Sequence, residues 1–411
     1  MDEELGRWWQ AVAQLVQEAH VVRGDQLPRM VEQAARRVGI EAELYLVDLG
    51  QQVLCPILGG AEAALDVEGT VAGRAFQLSE ILPSGDPGTG PVLWVPLLDG
   101  TERLGVIRMQ LPAGTELPDR ALEERCWTLS GLVGHIVMTK FPYSDTLHRS
   151  RRSEPLSVAS ELLWQLLPPR TFASDQLVLT ALLEPYDRIG GDAFDYAVDD
   201  AVASFAVFDG VGHDVQAGMT TALALAAIRN ARRCGEQDLD SMAGRADELI
   251  TVQGAGSRFV TAALARLDTT TGQLSYLLAG HPPPLLLRGN KTVKILEQPP
   301  RVPLGVRTHG HPSRSRTAEE QLEPGDRLLV YTDGITEARD PDGQFFGTDR
   351  LIDLTERACA SNLPAPETLR RLIRAVLVYQ GGQLQDDATL LMVEWSAVGH
   401  HQLLPASVSL G

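Results

Sequence analysis

The fold of this chain is decided by the stretch Phe205-Ala206-Val207-Phe208-Asp209-Gly210-Val211-Gly212-His213-Asp214. Its apolar run ends abruptly on Asp209-Gly210, which is typical of a buried strand that reaches a polar rim. Glycine lets the backbone turn sharply there and leaves its carbonyl uncovered. Asp-Gly after a strand is also the ordinary sequence of a turn. The stretch alone therefore allows either a cation site or a simple turn, and the rest of the chain decides between them.

Other strands in the second half of the sequence carry aspartates at their ends in the same way. The apolar strand 177–181 leads into Gly190-Gly191-Asp192, the strand 327–331 leads to Asp333-Gly334, and the last strand opens with Asp386-Asp387. Carboxylates gathered without counter-charges repel one another and raise one another's pKa, and hard cations are the simplest remedy. Because the donors are all oxygens, magnesium or manganese is favoured over zinc. The recurrence favours one cation site over several independent turns.

The combined pattern resembles the SpoIIE-like branch of the metal-dependent protein phosphatases, the PPM superfamily that includes protein phosphatase 2C. The resemblance covers residues 170–395 and rests on the motifs Gly-Gly-Asp, Phe-Asp-Gly-Val-Gly-His, Phe-Val-Thr, Ala-Gly-His-Pro-Pro, Tyr-Thr-Asp-Gly-Ile-Thr-Glu-Ala and Asp-Asp-Ala-Thr. It implies an α-β-β-α sandwich, in which two antiparallel sheets stack and helices flank them, with a two-metal site at one end. The activity implied is that of a bacterial serine/threonine phosphoprotein phosphatase.

The same resemblance assigns roles to the acidic residues. Asp209 matches the aspartate that bridges both ions, with the Gly210 carbonyl as a further ligand, and Asp192 matches a metal-site aspartate. We expect Asp209 and Asp192 to be the catalytic aspartates, and we rank Asp386 above its neighbour Asp387 as a ligand. The complete predicted ligand set is Asp192, Asp209, Gly210, Asp333, Asp386 and Asp387.

Two manganese or magnesium ions at such a site share a water molecule, lower its pKa and hold it for in-line attack on phosphorus. The sequence contains no Cys-x5-Arg nucleophile motif, so no covalent phosphoenzyme is expected. Arg188 is a weakly matched candidate for the arginine with which relatives outside this branch grip the phosphate. His213 is a candidate group near the site, whereas His281 is expected to be a structural hydrogen-bonding residue.

Proteins with this catalytic domain commonly dephosphorylate anti-sigma-factor antagonists, so the resemblance implies a role in partner-switching control of transcription. The chain shows no kinase-like ATP-binding domain, and it would supply the phosphatase half of such a switch. The alternative is a catalytically silent protein that binds a phosphorylated or unphosphorylated partner. The four aspartates that match the family's ligands favour the enzyme.

The first third of the chain has a different pattern. Helical periodicity over residues 5–19 and 27–38 is followed by strands at 42–47, 92–97 and 103–109 and by a closing helix at 119–139. With the run 71–76, this order resembles a GAF sensory domain. A small-molecule ligand and a purely dimerising role both remain open. No asparagine precedes Asn230, so cyclic-nucleotide sensing is not expected, and Cys55 and Cys126 are read as ordinary core residues.

A short apolar helix at 156–167, stopped by Pro168-Pro169, connects the two parts. It packs on one of the two domains, with the catalytic core as the simplest case, or it pairs with its twin in a homodimer, and the sequence leaves these possibilities open. We therefore expect an α/β multidomain (α+β) chain. Its predicted parts are a GAF-like α/β sensor at 1–143, a linker at 144–169, the phosphatase domain at 170–398 and a tail at 399–411.

Composition limits the classes of partner. The net charge is −18 and the pI is about 4.9, which disfavours nucleic acid and anionic membranes because both would be repelled. The four cysteines form no C-x-x-C pair, which argues against a disulfide framework and a thiolate metal site. The acidic N-terminus lacks the layout of a signal peptide, and no apolar run is long enough for a membrane span. A soluble, cytoplasmic protein is expected.

Overall fold

The computed structural model describes residues 2–59, 61–85, 90–153, 156–184, 190–212, 214–253, 258–299, 301–306, 317–382 and 384–406. The chain divides into two compact units. The first comprises Met1–Glu154 and His401–Gly411, and the second comprises Pro155–His400. No helix within the described ranges combines the length and hydropathy needed to cross a membrane.

The first unit is an antiparallel sheet with helices on both faces. Its helices are α1 (Asp2–Ala19), α2 (Leu27–Arg36), α3 (Val71–Leu78), α4 (Arg120–Lys140) and α5 (Asp145–Ser150). Its strands are β1 (Glu41–Val47), β2 (Val53–Pro56), β3 (Leu65–Asp66), β4 (Leu82–Ser84), β5 (Val92–Asp99) and β6 (Glu102–Gln110), and they pair in the order β3-β2-β1-β6-β5-β4.

Alternation along the strands divides the core of this unit between the two faces of the sheet. Leu44 and Leu46 of β1 pack in one apolar cluster with residues of α1, α2 and α4. Tyr45 and Val47 point the other way, because successive side chains of a strand alternate, and they join a smaller cluster with Phe76 of α3. The predicted mixture of helices and antiparallel strands is present, while the GAF assignment stays a prediction.

The second unit contains the apolar strand that ends on Asp209-Gly210. Its helices are α6 (Val158–Leu166), α7 (Val215–Arg233), α8 (Leu239–Gln253), α9 (Asp333–Thr336), α10 (Gly347–Ala360) and α11 (Ala365–Tyr379). Its strands are β7 (Thr171–Ala173), β8 (Leu177–Glu184), β9 (Asp192–Asp199), β10 (Val202–Gly210), β11 (Val260–Asp268), β12 (Gln273–Ala279), β13 (Leu285–Arg288), β14 (Lys291–Ile295), β15 (Ala318–Gln321), β16 (Arg327–Tyr331) and β17 (Ala388–Trp395).

Within the described residues these strands form one antiparallel sheet in the order β15-β12-β11-β10-β9 and another in the order β14-β13-β16-β17-β8-β7. An apolar core that includes Phe194, Val207 and Leu391 lies between the sheets. Helices α7 and α8 cover the outer face of the first sheet with a second apolar cluster, and α11 packs on β8 and β17 of the other sheet. The predicted α-β-β-α sandwich is confirmed.

The connector differs from the expectation at its start. Residues 144–153 belong to the first unit rather than to a linker, because Leu147 of α5 is fully buried and Arg151 donates to the Val47 carbonyl at 3.1 Å. The guanidinium of Arg151 also lies over the Phe141 ring. Basic side chains with apolar stems can pack in this way, so Arg151 contributes to the packing of the first unit.

Candidate active site at the strand ends

The predicted site residues come from separate segments and meet where the two sheets end. Asp192 opens β9 and lies directly opposite Asp209 of β10 in the strand pairing. Asp333 is the first residue of α9, shortly after β16, and Asp386 and Asp387 immediately precede β17. Strands β16 and β17 are neighbours in the other sheet. The structure therefore brings all five predicted aspartates to one end of the sandwich.

Asp209 is half-buried among other carboxylates. Burial raises its pKa to about 8, and the charges of Asp333, Asp386 and Asp387 act in the same direction. Its carboxyl group shares a hydrogen bond with that of Asp333, whose pKa is also raised, by burial first and then by the charges of Asp386 and Glu337. Two carboxyl groups can make such a bond only when one of them keeps a proton.

Asp192 is almost completely enclosed, with 2% of its surface exposed. Burial, followed by the charges of Asp209 and Asp387, raises its pKa well above the usual range. One carboxylate oxygen, Oδ2, accepts hydrogen bonds from the hydroxyls of Thr332 at 2.8 Å and Thr389 at 2.7 Å. These hydroxyls fix the direction in which the carboxylate points.

Asp386 and Asp387 are adjacent in sequence but occupy different surroundings. Asp387 is buried, and its Oδ2 accepts the backbone N–H of Gly191 and, at 3.3 Å, that of Asp192. It therefore holds the bend that presents Asp192. Asp386 is exposed, and its Oδ1 accepts the Asp387 N–H at 2.9 Å. Asp386 has the freer carboxylate of the two.

Glycines permit the close backbone contacts at this end of the sandwich. A Cβ on Gly191 would lie 2.6 Å from the Gly210 carbonyl oxygen, and a Cβ on Gly334 would overlap the Asp387 carbonyl oxygen. The Gly210 N–H donates to the Gly191 carbonyl at 3.1 Å. Any larger residue at these positions would push the aspartate-bearing segments apart.

The donor chemistry fits a hard divalent cation, since the side chains supply only carboxylate oxygens and the strand end adds a backbone carbonyl. In the part of the chain that the structure describes, however, no group of three or more His, Cys, Asp or Glu side chains is arranged as it stands to hold a metal ion. The Asp209 and Asp333 carboxyl groups are turned toward each other instead. Binding of an ion would require these side chains to rotate toward a common centre.

Sequence reasoning missed the hydroxyl groups behind the aspartates. Thr332 and Thr389 both lie within motifs that the sequence made conspicuous, but nothing in the motifs indicated that they converge on one oxygen of Asp192. Thr221 of α7 donates to the Gly191 carbonyl at 2.6 Å and is fully buried. Nothing in the sequence motifs indicated this third hydroxyl.

Three other residues were candidates in the sequence: Arg188, His213 and His281. Arg188 and His213 lie outside the described residues. His281 is buried and its Nδ1 lies 2.9 Å from the hydroxyl of Thr261, the residue of β11 that pairs with Asp209. Burial lowers the pKa of His281 to about 3, so its ring is neutral at ordinary pH. A neutral ring bonded to the neighbouring strand is the geometry expected of a structural residue.

Comparison with known proteins bears on the second unit. Residues 199–396 match the family model of stage II sporulation protein E (SpoIIE). The chain is 23% identical to phosphoserine phosphatase RsbU of Bacillus subtilis over 253 residues, covering 58% of this chain and 69% of RsbU. It is 30% identical to protein IcfG of Synechocystis over 150 residues, covering 36% of this chain and 22% of IcfG.

Among solved structures, the RsbU and RsbW domains of Rv1364c from Mycobacterium tuberculosis are similar to this chain, with 25% sequence identity and a TM-score of 0.46. That match covers 53% of this chain and 60% of the other chain. The chain thus spans less than two thirds of IcfG and of the Rv1364c structure.

Proposed function

We propose, from the premise that residues 199–396 form a SpoIIE-type domain of the PPM phosphatase family, that this chain is a metal-dependent serine/threonine phosphoprotein phosphatase. The observation that carries the proposal is the meeting of five aspartates from separate segments at one end of the sandwich, where burial and the neighbouring carboxylates raise the pKa of Asp209 to about 8. Carboxylates held together without compensating charge favour the binding of cations.

Asp209, the Gly210 carbonyl, Asp192, Asp333 and Asp386 are the groups that we assign to two manganese or magnesium ions. When bound, such ions supply a water molecule of lowered pKa for in-line attack and neutralise charge on the phosphate. Asp209 and Asp333 would hold such ions only after giving up the hydrogen bond between their carboxyl groups.

The remaining residues of the site orient these ligands. Thr332 and Thr389 both donate to Oδ2 of Asp192, so we assign the other carboxylate oxygen to the metal. Asp387 accepts the N–H groups of Gly191 and Asp192, so we assign it to positioning rather than to metal binding. Removing an outer partner of this kind commonly lowers metal affinity by about 10–100-fold.

The test is manganese-dependent release of phosphate from a phosphoserine protein. Asp209→Ala should abolish the activity, whereas Asp353→Ala, which removes an exposed acid on α10 paired with Arg357, should leave it unchanged. Equal activity of wild type and Asp209→Ala would contradict the site assignment. Calorimetric titration with manganese separates the enzyme from the silent phosphoprotein-binding alternative, because a silent binder need not take up two ions.

For the substrate we propose a phosphorylated anti-sigma-factor antagonist. The support is the resemblance of the motifs at 190–214 and 331–338 to the SpoIIE-like branch, together with the similarity to a relative named phosphoserine phosphatase. The Asp209→Ala protein, which should bind the phosphoprotein without turning it over, serves as a trap in a pull-down from cells. Recovery of an antagonist by the trap and not by the wild type would support this substrate.

We propose that the first unit is a GAF-like sensor that regulates the phosphatase through α6. This helix docks on α7 through its buried Ala159, Ser160 and Leu163. The Ser160 hydroxyl accepts the Gly190 N–H at 3.2 Å, next to the bend that presents Asp192. These contacts support docking on the second unit as the role of α6.

The other end of α6 is tied to the same strand. Arg229 of α7 donates to the Leu166 carbonyl at 2.7 Å and to Asp195 of β9 at 3.1 and 2.7 Å. Movement of α6 would therefore be transmitted to β9, which begins with Asp192. The apolar Val158 and Leu162 remain 75% and 41% exposed, and we propose that they pair with a second copy in a homodimer.

Two variants test these proposals: the double variant Val158→Asp/Leu162→Asp and a variant that lacks residues 1–150. Their sedimentation tests the dimer, and their phosphatase rates test the coupling between the two units. A dimer that persists in both variants would contradict the proposed contact. A monomeric truncated enzyme with unchanged rate and manganese affinity would contradict regulation by the first unit.

A further inference from the structure

An ion pair beside the candidate site has no part in the ligand set. Arg258 donates from Nη1 to Asp214 Oδ1 at 3.0 Å and from Nη2 to Asp214 Oδ2 at 2.6 Å. Asp214 is also the N-cap of α7, because its Oδ1 accepts the Ala217 N–H at 2.8 Å. The two-point geometry fixes the orientation of both side chains. We call this pair the clasp.

The clasp spans the chain just after Gly210. Arg258 stands two residues before Val260, which pairs with Gly210 in the sheet. The intervening Phe259 accepts the Val211 N–H on its carbonyl at 3.2 Å. Strand β11 and the first turn of α7 are therefore linked on either side of the segment that carries the Gly210 carbonyl.

The guanidinium of Arg258 also lies close to the backbone of this segment. A Cβ on Gly212 would lie 3.2 Å from Arg258 Nη1, and Gly212 has a φ of +97°, in the left-handed region that favours glycine. The backbone thus turns directly beneath the clasp. The clasp is therefore placed to fix this turn.

Stability does not account for the clasp. Its side chains are 26% and 53% exposed, and exposed ion pairs contribute little to folding free energy. Ordering a flexible backbone segment costs conformational entropy, and a segment that is already ordered spares a ligand that cost. A clasp beside a metal ligand is suited to lowering the cost of binding an ion.

We propose that Asp214 and Arg258 are positioning residues that hold the Gly210 carbonyl in place for the ion shared with Asp209. This inference rests on the proposed function. Neither residue contacts the substrate or the reacting atoms. Loss of the clasp should weaken manganese binding about tenfold, the lower end of the effect of outer partners at metal sites.

The test is calorimetric titration of the full chain with manganese, using Asp214→Ser, Arg258→Gln and the double variant. Serine retains the N-cap acceptor of α7 but cannot pair with Arg258. Each single variant should bind manganese about tenfold more weakly, and the double variant should be no worse than either, because both changes break the same contact. Arg258→Lys keeps the charge without the two-point geometry and should recover part of the affinity.

A second readout separates positioning from general stability. Amide hydrogen exchange at Val211 and Gly212 should accelerate in the clasp variants, while exchange in the centre of β10 should stay as in the wild type. Asp353→Ser, which breaks an exposed pair on α10, is the control and should change neither manganese affinity nor this exchange.

Unchanged manganese affinity in both single variants, or losses that add in the double variant, would overturn the inference. A lower melting temperature with unchanged affinity would also overturn it. If the wild type binds manganese and Asp209→Ala does not, such results would count against the clasp alone. If the wild type binds no manganese, the proposed function fails and the inference fails with it.

Discussion

Replacing Asp209 by asparagine should stabilise the metal-free protein, although the residue lies at the proposed centre of activity. Its pKa of about 8 means that the folded state retains a proton that the unfolded state releases near pH 4. Between these values the folded state binds more protons, so the free energy of unfolding falls as pH rises. Relative to a pH at which both states are protonated, the free energy of unfolding is lower by about 4 kcal/mol at pH 7 and by clearly less at pH 5. Asparagine has no such proton to lose.

Asp195, on the strand next to Asp209, gives the matched comparison. It is also buried, but Arg229 and Arg232 pair with it at 2.7 and 2.9 Å. Asp195→Asn should destabilise the protein by about 3 kcal/mol, the low end of the cost of breaking a buried ion pair, because it leaves two largely buried guanidinium groups without their charged partner. The two substitutions are chemically identical, but they should change the free energy of unfolding in opposite directions because only Asp195 has cationic partners.

Native-state hydrogen exchange of β9 and β10 in the presence of a chelator measures both effects within the second unit. Added manganese at about 100 times its dissociation constant should stabilise the wild type by about 2.7 kcal/mol and should not stabilise Asp209→Asn. The reasoning is refuted if Asp209→Asn lowers the stability of the chelated protein, or if the gain is the same at pH 5 and pH 7.

Three further predictions concern residues around the site. The wild type should lose about 2 kcal/mol of unfolding free energy on acidification from pH 7 to pH 5, because His281 takes up a proton in the unfolded state but stays neutral in the folded state, where its pKa is about 3. His281→Gln should remove this loss. Urea unfolding at both pH values measures it, and equal losses with and without His281 would contradict the prediction. Gly334→Ala should lower the free energy of unfolding by at least about 2 kcal/mol, because the new Cβ would overlap the Asp387 carbonyl oxygen. Gly244→Ala, in the open middle of α8, should raise the free energy of unfolding by about 0.5–1 kcal/mol in the same assay. Similar effects of the two alanines would refute the close approach at Gly334. Thr389→Val should raise the manganese concentration needed for activity about 10–100-fold, whereas Thr389→Ser should not, because only valine removes the hydroxyl that donates to Asp192. Phosphatase rates measured against manganese concentration test the prediction. Equal behaviour of the valine and serine variants would contradict it.

The fold of the second unit was largely predictable from local patterns. An apolar run that stops on Asp-Gly predicts a strand end whatever surrounds it, and Asp209 and Asp333 were identified in this way. The adjacent pair Asp386 and Asp387 marks the limit of this reasoning. Both residues belong to the same motif, but the strand geometry turns Asp387 inward to the N–H of Gly191 and leaves Asp386 exposed. Direction of a side chain depends on the neighbouring strand, which the motif does not contain.

The connector shows a second limit. Its apolar helix was evident from periodicity, yet periodicity identifies a face without identifying what covers it. The structure divides this face, since Ala159 and Leu163 pack on the catalytic unit while Val158 and Leu162 are exposed. The boundary before it was misplaced for the same reason, because burial of Leu147 against the first unit is a tertiary contact.

The sequence by itself determined the chemistry of this protein: the acidic residue types, their places at strand ends and the absence of a nucleophile motif. Only the tertiary structure decided how those groups act on one another. The hydroxyl of Thr389 donates to Asp192, although 197 sequence positions separate the two residues. Arg258 pairs with Asp214 across 44 sequence positions. Such contacts depend on strand register and on the stacking of two sheets, which bring distant residues together. The motif at Asp209 therefore specifies a carboxylate at a strand end, and the surrounding fold gives that carboxylate its raised pKa and its position.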